Sequence, residues 1–290
     1  MSVILSNQSI TKLLKAAYSN NQRKLILDSV LVEQPLQITL HWQQDNNIKS
    51  VIFTITMRTP GQDKLLIAGL LVSDGIIRCI SDIEYILADD PDSKSTNILY
   101  DNQWQVKLTN GLIPSLIKLD QYQIRYSSCG LCGTTSLKSL ELKQPPLLNT
   151  DMQWLVIDKI KEMSTKMRNQ QPLFFQTGGS HAAALFNQEC SLVDVQEDIG
   201  RHNALDKIIG AQLIREHTIN SLVRNCVMLS SRVSFEMVQK TIMAGIPVLI
   251  AVGAPSDLAI SAAKRFDLTL IGFTSKKSFN VYHGDWRIKS

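Results

Sequence analysis

Along the first third of the chain, apolar and polar positions alternate. In "LQITLHW" (36–42) and "VIFTITMR" (51–58) the period is two and the apolar set is largely β-branched, which predicts half-buried strands. "WQVKLTNG" (104–111) predicts another strand, closed by a turn at Asn110-Gly111. Between them, "QDKLLIAGLLVSDGII" (62–77) has helical spacing and stops at Gly75, where a helix end commonly takes a left-handed residue. These elements predict an α+β unit over about residues 1–125.

The second half changes rhythm. "VMLSS" (227–231), "VLIAVGAP" (248–255) and "LTLIGFTS" (268–275) are short, nearly continuous apolar runs that end in small or polar residues. The helical stretches "SFEMVQKTIMAG" (234–245) and "SDLAISAAKRF" (256–266) separate them. Alternation of this kind predicts an α/β unit over 147–290, built on a mostly parallel sheet with helices on its faces. The connecting stretch runs over 126–146 and ends within "KQPPLLNT" (143–150), at Pro145-Pro146. In parallel sheets ligands gather at strand carboxyl ends, here Ser230-Ser231-Arg232, Gly253-Ala254-Pro255 and Phe273-Thr274-Ser275.

Composition narrows the class. The 290 residues are 44% hydrophobic and 19% charged, enough apolar side chain for a sizeable core. The net charge of +4 is spread along the chain without a basic run, so nucleic acid is not an expected partner. No apolar run reaches the roughly 18 residues of a membrane span, and no cleavable leader is visible. Five cysteines with one close pair form no disulfide framework, which favours a reducing, cytoplasmic setting.

That close pair is "SSCGLCG" (127–133), with Cys129 and Cys132 between glycines. Structural zinc commonly takes two such pairs, and the segment holds no histidine, so no metal is expected. A thioredoxin-like pair stands at a helix start early in a βαβ unit, which this stretch does not match. Two inert buried thiols remain an alternative. The glycines and hydroxyl residues predict an exposed loop, where a thiolate with a neighbouring thiol suits sulfur handling by persulfide formation and exchange.

Three more segments concentrate polar groups beside glycine. "FFQTGGSHAAALF" (174–186) predicts a strand, a turn at Gly178-Gly179, and an Ala-rich helix capped by Ser180, whose backbone donors suit an anion. "VQEDIGRHNALDKIIG" (195–210) sets Arg201, His202 and Asn203 at the start of a helix with Leu205, Ile208, Ile209 and Leu213 on its apolar face. That is more polar chemistry than a cap requires. In "LSSRVSFEM" (229–237) Arg232 leaves a strand end, and Ser234 caps a helix on which Glu236 and Lys240 make a surface i,i+4 pair. A guanidinium there suits phosphate.

Taken together, "SSCGLCG", "TGGSHAAAL", "EDIGRHNALDKIIG", "SFEMVQKTIMAGIPVLIAVGAPSDLAI" and "GFTSKKSFNVYHGDWRI" resemble the FdhD family, sulfur-carrier accessory proteins of formate dehydrogenase. "RTPGQDKLLIAGLLVSDGII" resembles the family's N-terminal half, so the likeness covers most of the chain. The resemblance implies a sulfurtransferase that takes sulfur from a cysteine desulfurase as a persulfide. It then passes the sulfur to the molybdenum of bis(molybdopterin guanine dinucleotide) before that cofactor enters formate dehydrogenase. It assigns the persulfide to Cys129, with Cys132 assisting. Cofactor binding falls to Phe273, Thr274, Ser275, Lys276, Lys277 and Ser278, with Gly178, Gly179, Arg201, His202 and Arg232 as further candidates.

Two positions depart from the family pattern: Ser275 stands where arginine is frequent, and Ser231 where glycine is usual. The resemblance also implies a cytidine-deaminase-like three-layer fold for 147–290. A zinc deaminase needs His-x-Glu and Pro-Cys-x-x-Cys. Here Ala183 stands at the glutamate position and Ser128 precedes Cys129, so deamination is not expected. A homodimer is among the assemblies the resemblance allows. The rival function is a cofactor-binding chaperone that moves no sulfur.

Overall fold

A computed structural model describes residues 9–89, 102–114, 137–148, 150 and 153–289. The chain opens with an antiparallel ribbon, β1 (Ile10–Ser19) and β2 (Gln22–Leu31). Its two-residue turn, Asn20-Asn21, has φ of +49° and +59°, the left-handed pair that matches strand twist in a tight hairpin. Next come β3 (Gln34–Gln44), β4 (Asn47–Arg58), α1 (Asp63–Ser73), β5 (Ile83–Ala88) and β6 (Gln103–Leu108). The sheet order is β4-β3-β6-β5, with β3 and β6 parallel and the other pairs antiparallel. Gly75 (φ +70°) ends the α1 region as its position predicts: its N–H bonds to Val72 and that of Ile76 reaches back to Leu71.

The second half runs α2 (Leu137–Leu142), β7 (Leu155–Val156), α3 (Ile157–Arg168), α4 (Pro172–Thr177), β8 (His181–Phe186), β9 (Leu192–Asp198) and α5 (Arg201–Glu216). It continues with β10 (Cys226–Leu229), α6 (Phe235–Met243), β11 (Val248–Ala251), α7 (Asp257–Arg265), β12 (Thr269–Gly272), β13 (Asn280–His283) and β14 (Ile288–Lys289). Six strands form one sheet in the order β13-β12-β11-β10-β8-β9, and β14 pairs with β7 beside it.

That sheet corrects the expectation of a mostly parallel one. The two pairings within β10-β11-β12 are parallel, and the other three are antiparallel. The parallel core is what the strand–helix–strand rhythm reads correctly. The antiparallel flanks come from segments whose signal points elsewhere. "SHAAAL" reads as a helix on alanine propensity, yet it is β8, buried between β9 and β10. Helix propensity is worth a few tenths of a kcal/mol per residue, and two ladders of hydrogen bonds plus full burial outweigh it. "FFQT", expected as the strand, is the end of α4, with Pro172 at its first position and left-handed Gly178 closing it.

Alternation along the central strands divides the interior in two. Ala183, Leu185, Val227, Leu229, Leu249, Ala251 and Leu270 face one side of the sheet, with α5, α6, α7 and the N-terminal half. Ala182, Ala184, Phe186, Cys226, Met228, Val248, Ile250 and Ile271 face the other, where Ile160, Met163 and Met167 of α3 cover them. The first cluster also takes in Leu36, Ile38, Leu40 and Leu66–Val72 apolar side chains, so one core spans both halves of the chain. The joint is the crossing of α1 and α5, which meet backbone to backbone. A Cβ on Gly69 would stand 1.8 Å from the Asp206 carbonyl oxygen, and one on Gly210 would stand 1.9 Å from that of Leu65.

Candidate anion-binding edge

The sheet order collects the polar segments on one edge. The parallel strands β10, β11 and β12 all end there, releasing Ser230–Arg232, Val252–Pro255 and Phe273–Ser278. Strand β8 runs the opposite way, so it begins at the same edge with His181, paired with Asp198 at the end of β9. At about 4.8 Å per strand, the row from β9 to β12 is about 19 Å long. Close backbone contacts hold the loops together. Val233 bridges Pro255, Phe273 N–H bonds to the Gly253 carbonyl at 3.2 Å, and Thr274 N–H bonds to Ala251 at 3.0 Å. A Cβ on Gly253 would lie 2.8 Å from the Arg232 backbone, so glycine there lets two loops touch.

Beneath the edge, most of the charged residues of "EDIGRHNALDK" serve structure. Glu197 accepts from the N–H groups of Leu173 and Phe174 at 2.8 and 2.9 Å and from Ser180 Oγ at 2.6 Å, which caps α4. Asp198 accepts from the N–H groups of Thr59 and Gly200, from Asn203 Nδ2 and, at 2.7 Å, from Lys207 Nζ. Asn203 also donates to the Met57 carbonyl at 2.7 Å, so it joins α5 to β4 rather than facing a ligand. One turn on, Asp206 receives Lys240 Nζ on both oxygens at 2.9 and 2.8 Å and Ser73 Oγ at 2.6 Å. Lys240 is thus buried against α5, and the expected surface pair with Glu236 does not form. The i,i+4 geometry yields to a carboxylate that would otherwise be buried without a cation.

Glu236 turns instead to His202, whose Nε2 lies 2.9 Å from its Oε2, close but off the line of a good hydrogen bond. The imidazole, with Lys240 and Arg201 nearby, outweighs burial and lowers the Glu236 carboxyl pKa. His181, half-buried, is driven toward its neutral form by burial first, then by Arg201 and His202, with Asp198 opposing. Neither His181 nor Glu236 is singled out as a site residue by the sequence pattern. His181 is hidden inside the Ala-rich run and Glu236 reads as a surface charge.

The open positive charge lies above. Among the described residues Arg201, Arg232, Lys276 and Lys277 make no ion pair, and the last three are exposed. Arg201 begins a 16-residue helix whose N-cap, Gly200, offers no side chain to the first N–H groups. The cap of α6, Ser234, makes no side-chain bond either, and its buried Oγ has no partner. Two helix ends therefore present free donors and positive dipole to the same edge. The Gly178-Gly179 turn contributes less than expected: its N–H groups are spent on the Phe174 carbonyl and Thr177 Oγ1.

The segment Phe273–Ser278 forms a tight loop around one hydroxyl. Ser275 Oγ accepts from the N–H groups of Lys277 and Ser278 at 3.2 and 3.1 Å, and Ser275 N–H bonds to the Ser278 carbonyl at 2.9 Å. Serine therefore has a local reason to stand at this position. Phe273, left-handed at φ +53°, leaves its ring half exposed. Thr274 is buried with its Oγ1 unpartnered. No described helix is long and apolar enough to cross a membrane. Cys129 and Cys132 lie outside the described residues.

The sequence profile of the FdhD/NarQ family matches residues 31–289. The chain is 40% identical over 265 residues to the sulfur carrier protein FdhD of Streptomyces coelicolor, covering 90% of this chain and 89% of that one. It is 37% identical over 261 residues to the protein of the same name from Sulfolobus acidocaldarius, covering 90% and 91%. A crystal structure assigned as a formate dehydrogenase accessory protein from Desulfotalea psychrophila has the same fold, with TM-score 0.69 at 24% identity over 96% of this chain and 99% of that one. With a match over nearly the whole chain and bacterial and archaeal relatives above one third identity, the chain belongs to the FdhD/NarQ family.

Proposed function

We propose that this chain is a sulfur carrier that serves formate dehydrogenase in the cytoplasm. Cys129 accepts sulfur from a cysteine desulfurase as a persulfide, and Cys132 assists its release. The acceptor is bis(molybdopterin guanine dinucleotide), held along the edge of the six-stranded sheet within residues 147–290. Family membership and the name carried by the relatives support sulfur carriage. Of the three described thiols, Cys79 is partly exposed and donates to Asp82 Oδ1 at 3.0 Å, and the other two are buried. Cys226 is fully buried and Cys190 nearly so, and burial pushes both thiols away from the reactive thiolate.

The acceptor half rests on one observation: a 16-residue helix whose N-cap makes no side-chain bond opens onto the edge beside Arg201, which makes no ion pair among the described residues. Pyrophosphate groups suit such a place, because free N–H donors and a guanidinium both favour dianionic oxygen. Arg232, Lys276 and Lys277 extend the positive charge along the row, and the Phe273 ring offers a face to a base.

The test is intact mass after incubation with a cysteine desulfurase and cysteine. Wild type gains one sulfur and Cys129→Ala gains none. A wild type that never loads, yet still binds the cofactor, identifies a chaperone instead. For the edge, calorimetry is expected to find GDP bound more tightly than ADP. Lys276→Glu with Lys277→Glu weakens GDP binding, by a margin that shrinks as salt rises.

A further inference from the structure

The contact between His202 and Glu236 joins the starts of two helices. Each residue is the second of its helix, in α5 and α6, and Nε2 lies 2.9 Å from Oε2. Neither helix has a side-chain cap bond at this end. The two helix ends treat their residues differently. A carboxylate suits the positive end of a helix dipole, so Glu236 is well placed on α6. A cation is disfavoured there, and His202 also has Arg201 before it on α5 and His181 at the start of β8. The neighbouring acids are spent: Asp198 of β9 meets Lys207 at 2.7 Å, and Asp206 of α5 meets Lys240 at 2.8 Å. Glu236 is the acid left to His202. That imidazole first, then Lys240 and Arg201, hold its carboxyl pKa low against burial.

The contact fixes how the ring can meet an anion. Nε2 is buried and faces a carboxylate, so a neutral ring carries its proton there. Nδ1 has no hydrogen-bond partner among the described residues, and the exposed 15% of the side chain does not include Nε2. In the neutral ring Nδ1 is a lone pair, which repels a phosphate oxygen. In the imidazolium it is a charged donor, which attracts one. The buried Ser234 Oγ, two residues before Glu236, is likewise without a partner at this end of α6.

We propose that Glu236 is a positioning residue for the anion site: it turns Nδ1 of His202 toward the edge and holds the ring protonated once a phosphate dianion arrives, so that capture of the ligand takes up a proton. The inference rests on the reading of this edge as the place where pyrophosphate binds. The coupling is reciprocal. Whatever the dianion adds to the hold on the proton, the proton adds to the hold on the dianion, so binding strengthens as pH falls. Glu236 acts through His202, and the charge of its carboxylate sets how strongly the two events are linked.

Calorimetry of GDP binding in buffers of different ionisation enthalpy counts the protons taken up per ligand. The phosphate of GDP loses its own proton alike in every variant, so the difference between proteins carries the result. Glutamine keeps the size of Glu236 and an acceptor for Nε2–H, so Glu236→Gln removes the charge alone. At pH 7 wild type is expected to take up about a third of a proton more per GDP than Glu236→Gln. Its GDP affinity should also gain about twofold more between pH 8 and pH 6. Equal uptake in the two proteins overturns the inference and leaves the anion site standing, whereas a wild type that binds no GDP overturns both. Uptake that survives Glu236→Gln and vanishes with His181→Gln places the proton on the other imidazole and also overturns it. Should Glu236→Gln fail to fold, the ring nitrogens of wild type decide by NMR, with the His202 signals assigned from their loss in His202→Gln. Nδ1 is expected to gain a proton as GDP is added, and a signal that does not move overturns the proposal.

Discussion

Asp198, Asp206, Lys207 and Lys240 are no less charged than Arg201, Arg232, Lys276 and Lys277, yet the two groups live in different solvents. The first four are buried and saturated: each lysine meets a carboxylate within 2.9 Å. The second four are half-buried or exposed and make no ion pair among the described residues. Both sets draw on the same short stretches of chain, and Arg201 lies five residues from Asp206. A charged residue inside a dense polar motif therefore declares its job through its partner. Where the partner is already in the chain the residue holds the fold, and where it is not the residue is available to a ligand.

The sharpest way to break that contrast is to remove one member of a saturated pair. Asp206→Ala leaves the Lys240 ammonium buried without compensation and Ser73 Oγ without its acceptor, and is expected to cost about 3–5 kcal/mol in urea unfolding. A loss below 1 kcal/mol would show the pair to be ornamental rather than structural.

On the open side the expectation reverses. Arg201→Ala with Arg232→Ala should leave stability within about 0.5 kcal/mol of wild type while reducing GDP affinity tenfold or more. Unfolding and calorimetry on the same preparation separate the two outcomes, and a variant that binds normally moves the anion site away from this edge.

The smallest effect is the titration between the two sets. His181 is held below its ordinary pKa of 6.5 by burial and by Arg201, and Glu236 below 4.5 by His202. In each case the folded chain disfavours the protonated form. The unfolded chain then binds more protons, so stability is complete above pH 6.5 and falls as pH drops through the folded-state values. His181→Gln should flatten the upper part of that fall, seen in urea midpoints between pH 7 and pH 5. An unchanged slope would place the proton uptake on another group.

Much of this was legible from periodicity where burial is one-sided or a helix is long. The strands β3, β4 and β6, the helices α1 and α5, and the parallel trio β10-β11-β12 all follow their patterns. Strand β8 was not, because three consecutive alanines carry no period and their propensity favours the wrong element. The β1–β2 ribbon also escaped: "TKLLKAAYS" has Leu, Lys and Ala at helix-like positions, and its burial is too slight to impose an alternation. Asn20-Asn21 was the available clue, since both residues tolerate the left-handed turn a hairpin needs. For the candidate site, the sequence brought out segments that the sheet gathers on one edge, but not which side chains face inward. Asn203 and Lys240 turn to the core, while His181 and Glu236 stand at the edge. That sorting depends on which strand lies beside which, and local pattern does not carry it.

The crossing of α1 and α5 has a mechanical meaning. With Gly69 and Gly210 pressed against opposing carbonyls, the helices have no layer of side chains between them to act as a bearing. Neither helix can roll on the other without backbone meeting backbone, so the N-terminal sheet and the six-stranded sheet move as one piece. The edge beside α5 then keeps a fixed width, so a ligand there would meet a surface already formed. A surface that is already rigid loses little freedom when a ligand binds, so little of the binding energy would go into ordering the chain.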